Sequence, residues 1–229
     1  MLQDIDLDSV RVINTLNPHS YCISKKDKDF ENALKASDIL LPDGVGIVWA
    51  EKLLNRSRIH KIAGFDLFKY LMNHLNVSNG SCFFLGASEA TLKLIKENAI
   101  KDYPNVKVYS YSPPYKSVFS KTDSKLMFTK VNTVKPDVLF VGMTAPKQEK
   151  WVHDYNNNLN AKIICSIGAV FDFYAGTVKR PSQFWIKLGL EWLPRLLKEP
   201  KRLAKRNFIS TPKFILEVIY FKIFKKGFL

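Results

Sequence analysis

The chain has 229 residues, 46% of them hydrophobic, with 35 Lys and Arg against 21 Asp and Glu and a formal net charge of +14. That length supports one substantial core plus an appendage, with no repeat, low-complexity tract or Gly/Ser linker to divide it. Cys22, Cys82 and Cys165 are an odd set without Cys-x-x-Cys, which excludes a disulfide scaffold and predicts buried free thiols in a reducing compartment. His19, His60, His74 and His153 lack metal-ligand spacing, so no metal site is expected, and no cofactor is expected either.

Residues 1–9 hold three aspartates and neither a cationic start nor an apolar core, so no secretory signal is expected and the chain is expected to stay in the cytosol, soluble or peripheral. From 11 to 178, short apolar runs alternate with stretches of helical period. The predicted strands are 11–14, 38–41, 82–85, 106–110, 137–141 and 162–167; the predicted helices are 27–36, 45–54, 65–76, 88–102, 122–133 and 146–158. This alternation predicts an α/β fold, a Rossmann-like and mostly parallel sheet with helices on both faces, over a domain of residues 1–178.

In such sheets ligands collect at the carboxyl ends of the strands. Polar and glycine residues cluster there: Thr15 and Asn17, then Pro42-Asp43-Gly44-Val45-Gly46, Gly86-Ala87-Ser88, Gly142 through Glu149, and Gly168. No G-x-G-x-x-G exists, since Trp49 stands at the third glycine position after Gly44 and Gly46, and a nicotinamide or flavin dehydrogenase is disfavoured. Gly86 and Ala87, followed by a Ser cap, could offer N–H groups at a helix start to a phosphate, a signal that is weak by itself. Asp43 can be read in two ways, as a reacting carboxylate or as the cap of the helix beginning near Val45. Gln148 and Glu149 open a helix just past a strand, so Gln148 could reach a ligand, while Glu149 suits the positive helix end.

Residues 179–229 form the second predicted domain, a basic helical appendage. It holds thirteen Lys or Arg against Glu191, Glu199 and Glu217, a net +10 of the chain's +14. At 100° per residue, Arg195, Lys198, Arg202, Lys205 and Arg206 share one face over 192–209, with Trp192, Leu193, Leu196, Leu197, Leu203, Ala204 and Phe208 opposite. Pro200 predicts two helices meeting at Glu199-Pro200. Cations beside an apolar stripe suit an anionic membrane surface, with solvation of an ordinary core-packed helix as the bland alternative. Residues 214–224 are apolar nearly all round but too short to span a bilayer, and suit burial in the interface or self-association into a homo-oligomer.

Taken together, Thr15-Leu16-Asn17, Leu41 through Gly46, Ile62 through Leu67, Phe84-Leu85-Gly86-Ala87, Gly142 through Glu149, Gly168 through Gly176, Leu190 through Leu196 and Glu199-Pro200-Lys201-Arg202 form a collinear pattern over roughly residues 10–210. The chain resembles the bacterial WecG/TagA/CpsF-type glycosyltransferases. The resemblance implies inverting, metal-independent transfer of an N-acetylmannosamine-like or other hexose from a UDP-sugar donor to a polyprenyl-pyrophosphate-linked sugar, in teichoic acid, capsule or exopolysaccharide synthesis. It implies a peripheral place at the cytoplasmic side of the membrane, with the tail meeting the bilayer.

Inverting transfer needs a carboxylate within reach of the acceptor hydroxyl, and the resemblance makes Asp43 that base. Thr15, Asn17, Gly44, Gly64, Asp66, Gly86, Ala87 and Gln148 become substrate-binding candidates. Arg195, Arg202 and Arg206 are candidates to stabilise the departing diphosphate or to grip the lipid pyrophosphate. Lys61 departs from the pattern, standing where the family often has Arg; it keeps the charge and loses the bidentate fork. Two rivals remain: a nucleic-acid-binding module, disfavoured by the unbroken apolar stripe beside the cations, and a non-catalytic membrane adaptor that binds a nucleotide sugar.

Overall fold

The structure is a computed structural model that describes residues 2, 7, 11–182, 184, 185 and 190–224; the side chains of Arg195, Lys198 and Arg202 also lie outside the described set. Six strands, Val12–Leu16 (β1), Ile39–Pro42 (β2), Ser81–Gly86 (β3), Lys107–Tyr111 (β4), Val138–Gly142 (β5) and Ile163–Ser166 (β6), form one sheet in the order β2-β1-β6-β5-β3-β4. Its pairings are parallel, with Ile13 opposite Cys165, Val141 opposite Ser166, and Gly86 opposite Gly142. Helices Pro18–Ser24 (α1), Lys28–Lys35 (α2), Val45–Asn55 (α3), Gly64–Ser78 (α4), Glu89–Asp102 (α5), Lys121–Val134 (α6), Lys147–Tyr155 (α7) and Gly168–Ala175 (α8) connect or follow them. The expected Rossmann-like α/β fold is present.

The chain packs as two compact units. One gathers Met1–Thr15, Asn32–Leu40 and Gly64–Lys179; the other gathers Leu16–Glu31, Leu41–Ala63 and Arg180–Leu229. In the first unit the period-two alternation of the strands sends neighbouring side chains to opposite faces. Phe83, Leu85, Leu139 and Val141 meet Met127 and Val131 of α6 and Trp151 and Val152 of α7. Phe84 and Phe140 face the other way, where Phe68 of α4 lies 6.2 and 5.3 Å from their ring centres and Phe171 of α8 stands edge-on to Phe84. Central strands covered on both faces read as continuous apolar runs, which is why β3 and β5 stand out in the sequence.

The second unit has its own small core, in which Tyr21 and Ala50 pack on Phe214 and Val218. Tyr21 meets the Phe214 ring edge-on at 5.0 Å and donates its hydroxyl to Glu217 at 3.1 Å, an oxygen that Lys25 also reaches. Desolvation of the phenol, and then the Glu217 charge, push the Tyr21 pKa well up. Helix Trp192–Lys198 is followed by Pro200–Ala204 with the proline in its first turn, so the expected break at Glu199-Pro200 is there. A π-helical turn, Lys205–Ser210, then runs into the C-terminal helix Thr211–Phe224, with Thr211 donating its hydroxyl to the Arg206 carbonyl.

The unbroken apolar stripe expected over 192–209 is divided. Leu196 and Leu203 are buried, whereas Trp192, Leu197 and Phe208 are exposed. The wider turn of the π segment rotates the residues beyond its start, so Phe208 leaves the line a regular helix would have drawn. Among the described elements, α1, short but capped by Asn17 with a proline in its first turn, and α8 had no counterpart among the predicted ones.

Candidate functional site

Within the second unit, main-chain hydrogen bonds tie three loops together. Asp43 donates its N–H to the Leu16 carbonyl at 2.8 Å, and Ile62 donates to the Pro42 carbonyl at 2.9 Å. Asp43, half-buried at the end of β2, is thus held between the segment leaving β1 and the segment that carries Lys61. The cap position of α3 falls on Gly44, at φ +104°, and not on Asp43. Asn17 caps α1, its side-chain oxygen accepting from His19 and Ser20 N–H at 3.0 Å each, which leaves its amide donors for other partners.

Lys61 is paired, and its partner was missed in the sequence. Its ammonium lies 2.5 Å from Glu191, and both side chains are largely shielded, at 21% and 15% exposure. The two are 130 positions apart, and nothing local marks Glu191 as a counter-ion. His19 is a second unanticipated neighbour: its Nδ1 lies 2.8 Å from the Ser210 hydroxyl. Burial, and after it the charges of Arg206 and Lys205, hold the His19 imidazole below its usual pKa. Arg206 is half-buried in the π turn. The side chains of Arg195 and Arg202 lie outside the described residues.

The first unit holds the remaining candidates. Thr15 is half-buried on β1, and Gly64 and Asp66 sit in the first turn of α4, with Gly64 close to Ile167 and Val170. After β3 the chain turns through Gly86 at φ +124° and Ala87 at φ +56°. Ala87 donates its N–H to the Gly142 carbonyl at 3.2 Å and accepts from the Ser112 hydroxyl at 2.7 Å. Ser88 caps α5 by accepting from the Thr91 N–H.

Gln148 is buried and uses both ends of its amide. Its Oε1 accepts from the Met143 N–H at 3.1 Å and its Nε2 donates to Glu149 Oε1 at 2.8 Å. Glu149, in the first turn of α7, is only 4% exposed, and burial pushes its carboxyl up to about 7. A carboxylate placed for the helix dipole alone would stay in water; this one faces inward. Among the described residues no three His, Cys, Asp or Glu side chains gather as metal ligands would.

A six-stranded parallel α/β sheet, in which ligands generally collect beyond the carboxyl ends of the strands, is a frame that hosts many different activities. The sequence matches the Glycosyl transferase WecG/TagA/CpsF family over residues 1–227, and the chain belongs to that family. It is 34% identical over 98% of its length to the N-acetylglucosaminyldiphosphoundecaprenol N-acetyl-beta-D-mannosaminyltransferase of Bacillus subtilis (strain 168), covering 85% of that protein. The protein of the same name from Bacillus spizizenii is 31% identical over 94% of this chain and 81% of its own, and that from Staphylococcus aureus (strain MW2) is 26% identical over 90% and 78%.

Proposed function

We propose that this glycosyltransferase moves an N-acetylmannosamine-like or other hexose from a UDP-sugar to a sugar linked to polyprenyl pyrophosphate, with inversion and without a metal, in the synthesis of a cell-surface polymer. The observation that carries the reading is the near full-length likeness to enzymes named for mannosaminyl transfer to N-acetylglucosaminyldiphosphoundecaprenol. Asp43 accepts the proton of the acceptor hydroxyl as that oxygen bonds to the anomeric carbon, and the electron pair of the old glycosidic bond leaves with UDP. Negative charge growing on the diphosphate calls for fixed cations, the role proposed for Lys61, Arg195, Arg202 and Arg206. Thr15, Asn17, Gly44, Gly64, Asp66, Gly86, Ala87 and Gln148 are proposed to bind the substrates' sugar and nucleotide groups. The Lys at position 61 leaves the donor sugar open to differ from the relatives'.

The test is product mass and anomeric configuration from a panel of UDP-sugars with a short-chain N-acetylglucosaminyl pyrophosphate lipid, with and without chelator. One added hexose-type mass of inverted configuration, unaffected by chelation, supports the proposal. Binding of donors without turnover would favour the adaptor reading instead, and a chelation-sensitive rate would overturn the metal-free mechanism.

The tail is proposed to dock peripherally on an anionic membrane. No helix among the described residues is long and apolar enough to cross a membrane. The C-terminal helix buries Phe214 and Val218 but exposes Leu216, Ile219, Tyr220, Ile223 and Phe224 on its outer side. Each Leu or Ile that enters an apolar phase contributes about 1.5–3 kcal/mol. The double substitution Leu216→Ser and Ile223→Ser is therefore expected to weaken sedimentation with anionic vesicles by about tenfold or more, with thermal stability unchanged. Equal sedimentation of variant and parent would remove the membrane role of this face and leave self-association, read by sedimentation equilibrium, as its use.

A further inference from the structure

Asn14, Glu149 and Ser166 are buried polar residues of the first unit that each leave one side-chain oxygen without a protein partner. Asn14 and Ser166 stand near the carboxyl ends of neighbouring strands, one step beyond the register pair Ile13 and Cys165. Asn14 and Glu149 together line a cavity of about 40 Å³, whose other walls are Val12, Ala33, Ala36, Val152, His153 and Asn156. An uncompensated buried carboxylate is costly, and no Lys or Arg lines this cavity.

The hydrogen bonds on either side of Glu149 have a fixed sense. At one end the Met143 main-chain N–H can only donate, so Gln148 presents Oε1 to it and Nε2 to Glu149 Oε1. At the other end the Ala33 carbonyl can only accept; Ser37 donates its hydroxyl to it at 3.2 Å and therefore accepts from Asn14 Nδ2 at 2.8 Å. That leaves Asn14 Oδ1 and Glu149 Oε2, both without a protein partner, on two residues that line the same cavity. Two acceptors can satisfy one another across such a space only when one carries a hydrogen, and Glu149 is the member able to hold it. The cavity has room for a bridging water, which passes the same polarity on.

We propose that Glu149 is a positioning residue whose neutral acid form completes a one-way hydrogen-bond chain from Met143 through Gln148 and Asn14 to Ala33, and so fixes the Gln148 amide for the substrate. The proposal rests on the glycosyl-transfer reading only in giving Gln148 a substrate. The absence of lining cations and the rise of the Glu149 carboxyl to about 7 by burial agree with it. His153, on α7 itself, is the other titratable side chain that lines the cavity; β1 contributes Val12 and Asn14, and α2 with the turn after it contributes Ala33 and Ala36. Ionisation of Glu149 would set a bare charge against Asn14 Oδ1 and draw the side chain toward water, loosening the brace on Gln148.

The experiment joins a carboxyl-carbon NMR titration of the full chain to steady-state kinetics of Glu149→Gln and Glu149→Ala across pH. Glu149→Gln mimics the neutral acid, accepting from Gln148 and donating toward Asn14. It is expected to keep kcat/KM within about twofold below neutrality and to lose the fall in rate that the parent shows as pH rises through about 7. Glu149→Ala is expected to lose roughly 10²-fold in kcat/KM, as a displaced positioning group does, at a temperature where its melting curve shows it folded. A Glu149 resonance titrating in the ordinary carboxylate range, or a Gln variant as impaired as the Ala variant, overturns the proposal. If the parent itself turns over no donor, the glycosyl-transfer reading falls, while the titration still decides whether Glu149 holds its proton.

Discussion

Asp43→Asn is expected to lower kcat roughly 10²–10⁴-fold, with KM for the donor changed by no more than about threefold. Asparagine matches aspartate in size and still accepts hydrogen bonds, but it cannot take a proton from an acceptor hydroxyl. The tie that holds this position, from its N–H to the Leu16 carbonyl, belongs to the main chain and survives the substitution. The cap of α3 also survives, since that position is Gly44. A melting curve taken alongside confirms that the variant is folded at the assay temperature. Single-turnover measurements with saturating donor and lipid acceptor separate the chemical step from binding. A kcat within about threefold of the parent would remove Asp43 from the chemistry and direct attention to other carboxylates, Asp66 first.

Gly168→Ala is expected to destabilise the protein by about 3 kcal/mol and to disturb Gln148 at the same time. A Cβ at Gly168 would lie 2.2 Å from the Met143 carbonyl oxygen and 2.8 Å from Gln148 Oε1. The first of these is main chain and cannot rotate away, and the preceding residue is anchored by the Ile167 N–H on the Val141 carbonyl at 3.0 Å. At about 2–4 °C per kcal/mol for a chain of this size, the midpoint should fall by roughly 6–12 °C. Gly176→Ala is the matched control. It also sits at an end of α8, at φ +77°, but a Cβ there meets nothing within 4 Å. Its cost is that of the left-handed conformation alone, about 1 kcal/mol. Equal midpoints for the two variants would show that the crowding at Gly168 is relieved by a small shift of the chain.

The sheet was legible in the sequence because its strands are apolar runs bounded by glycines and polar turns, and all six predicted strands lie within two residues of those observed. The break at Pro200 was legible for a covalent reason, the missing N–H. The π turn at Lys205–Ser210 was not, since residues with ordinary helical propensities form it and only the packing of the adjoining helix selects it. The positions of Thr15, Asn17, Asp43 and Gln148 at strand ends could be read off directly. Their partners could not: Lys61 finds Glu191 and His19 finds Ser210 across most of the chain's length. Glu149 is the sharpest case. A glutamate at a helix start is nearly always solvated, and its burial arises from Asn14 and the helices packed over β1 and β6, which no local pattern reports.

The second unit is assembled from three stretches, Leu16–Glu31, Leu41–Ala63 and Arg180–Leu229. Its core joins Tyr21 and Ala50 to Phe214 and Val218, so it closes a loop of well over a hundred residues. Contacts of such separation form late, because the entropy of closing the loop must be overcome before they reward it. During synthesis from the N-terminus the core around Tyr21 and Ala50 therefore waits for Phe214 and Val218 to be made. The C-terminal helix arrives as the piece that finishes this core, so a nascent chain buries Phe214 and Val218 and orients the exposed apolar face of the same helix in one folding event.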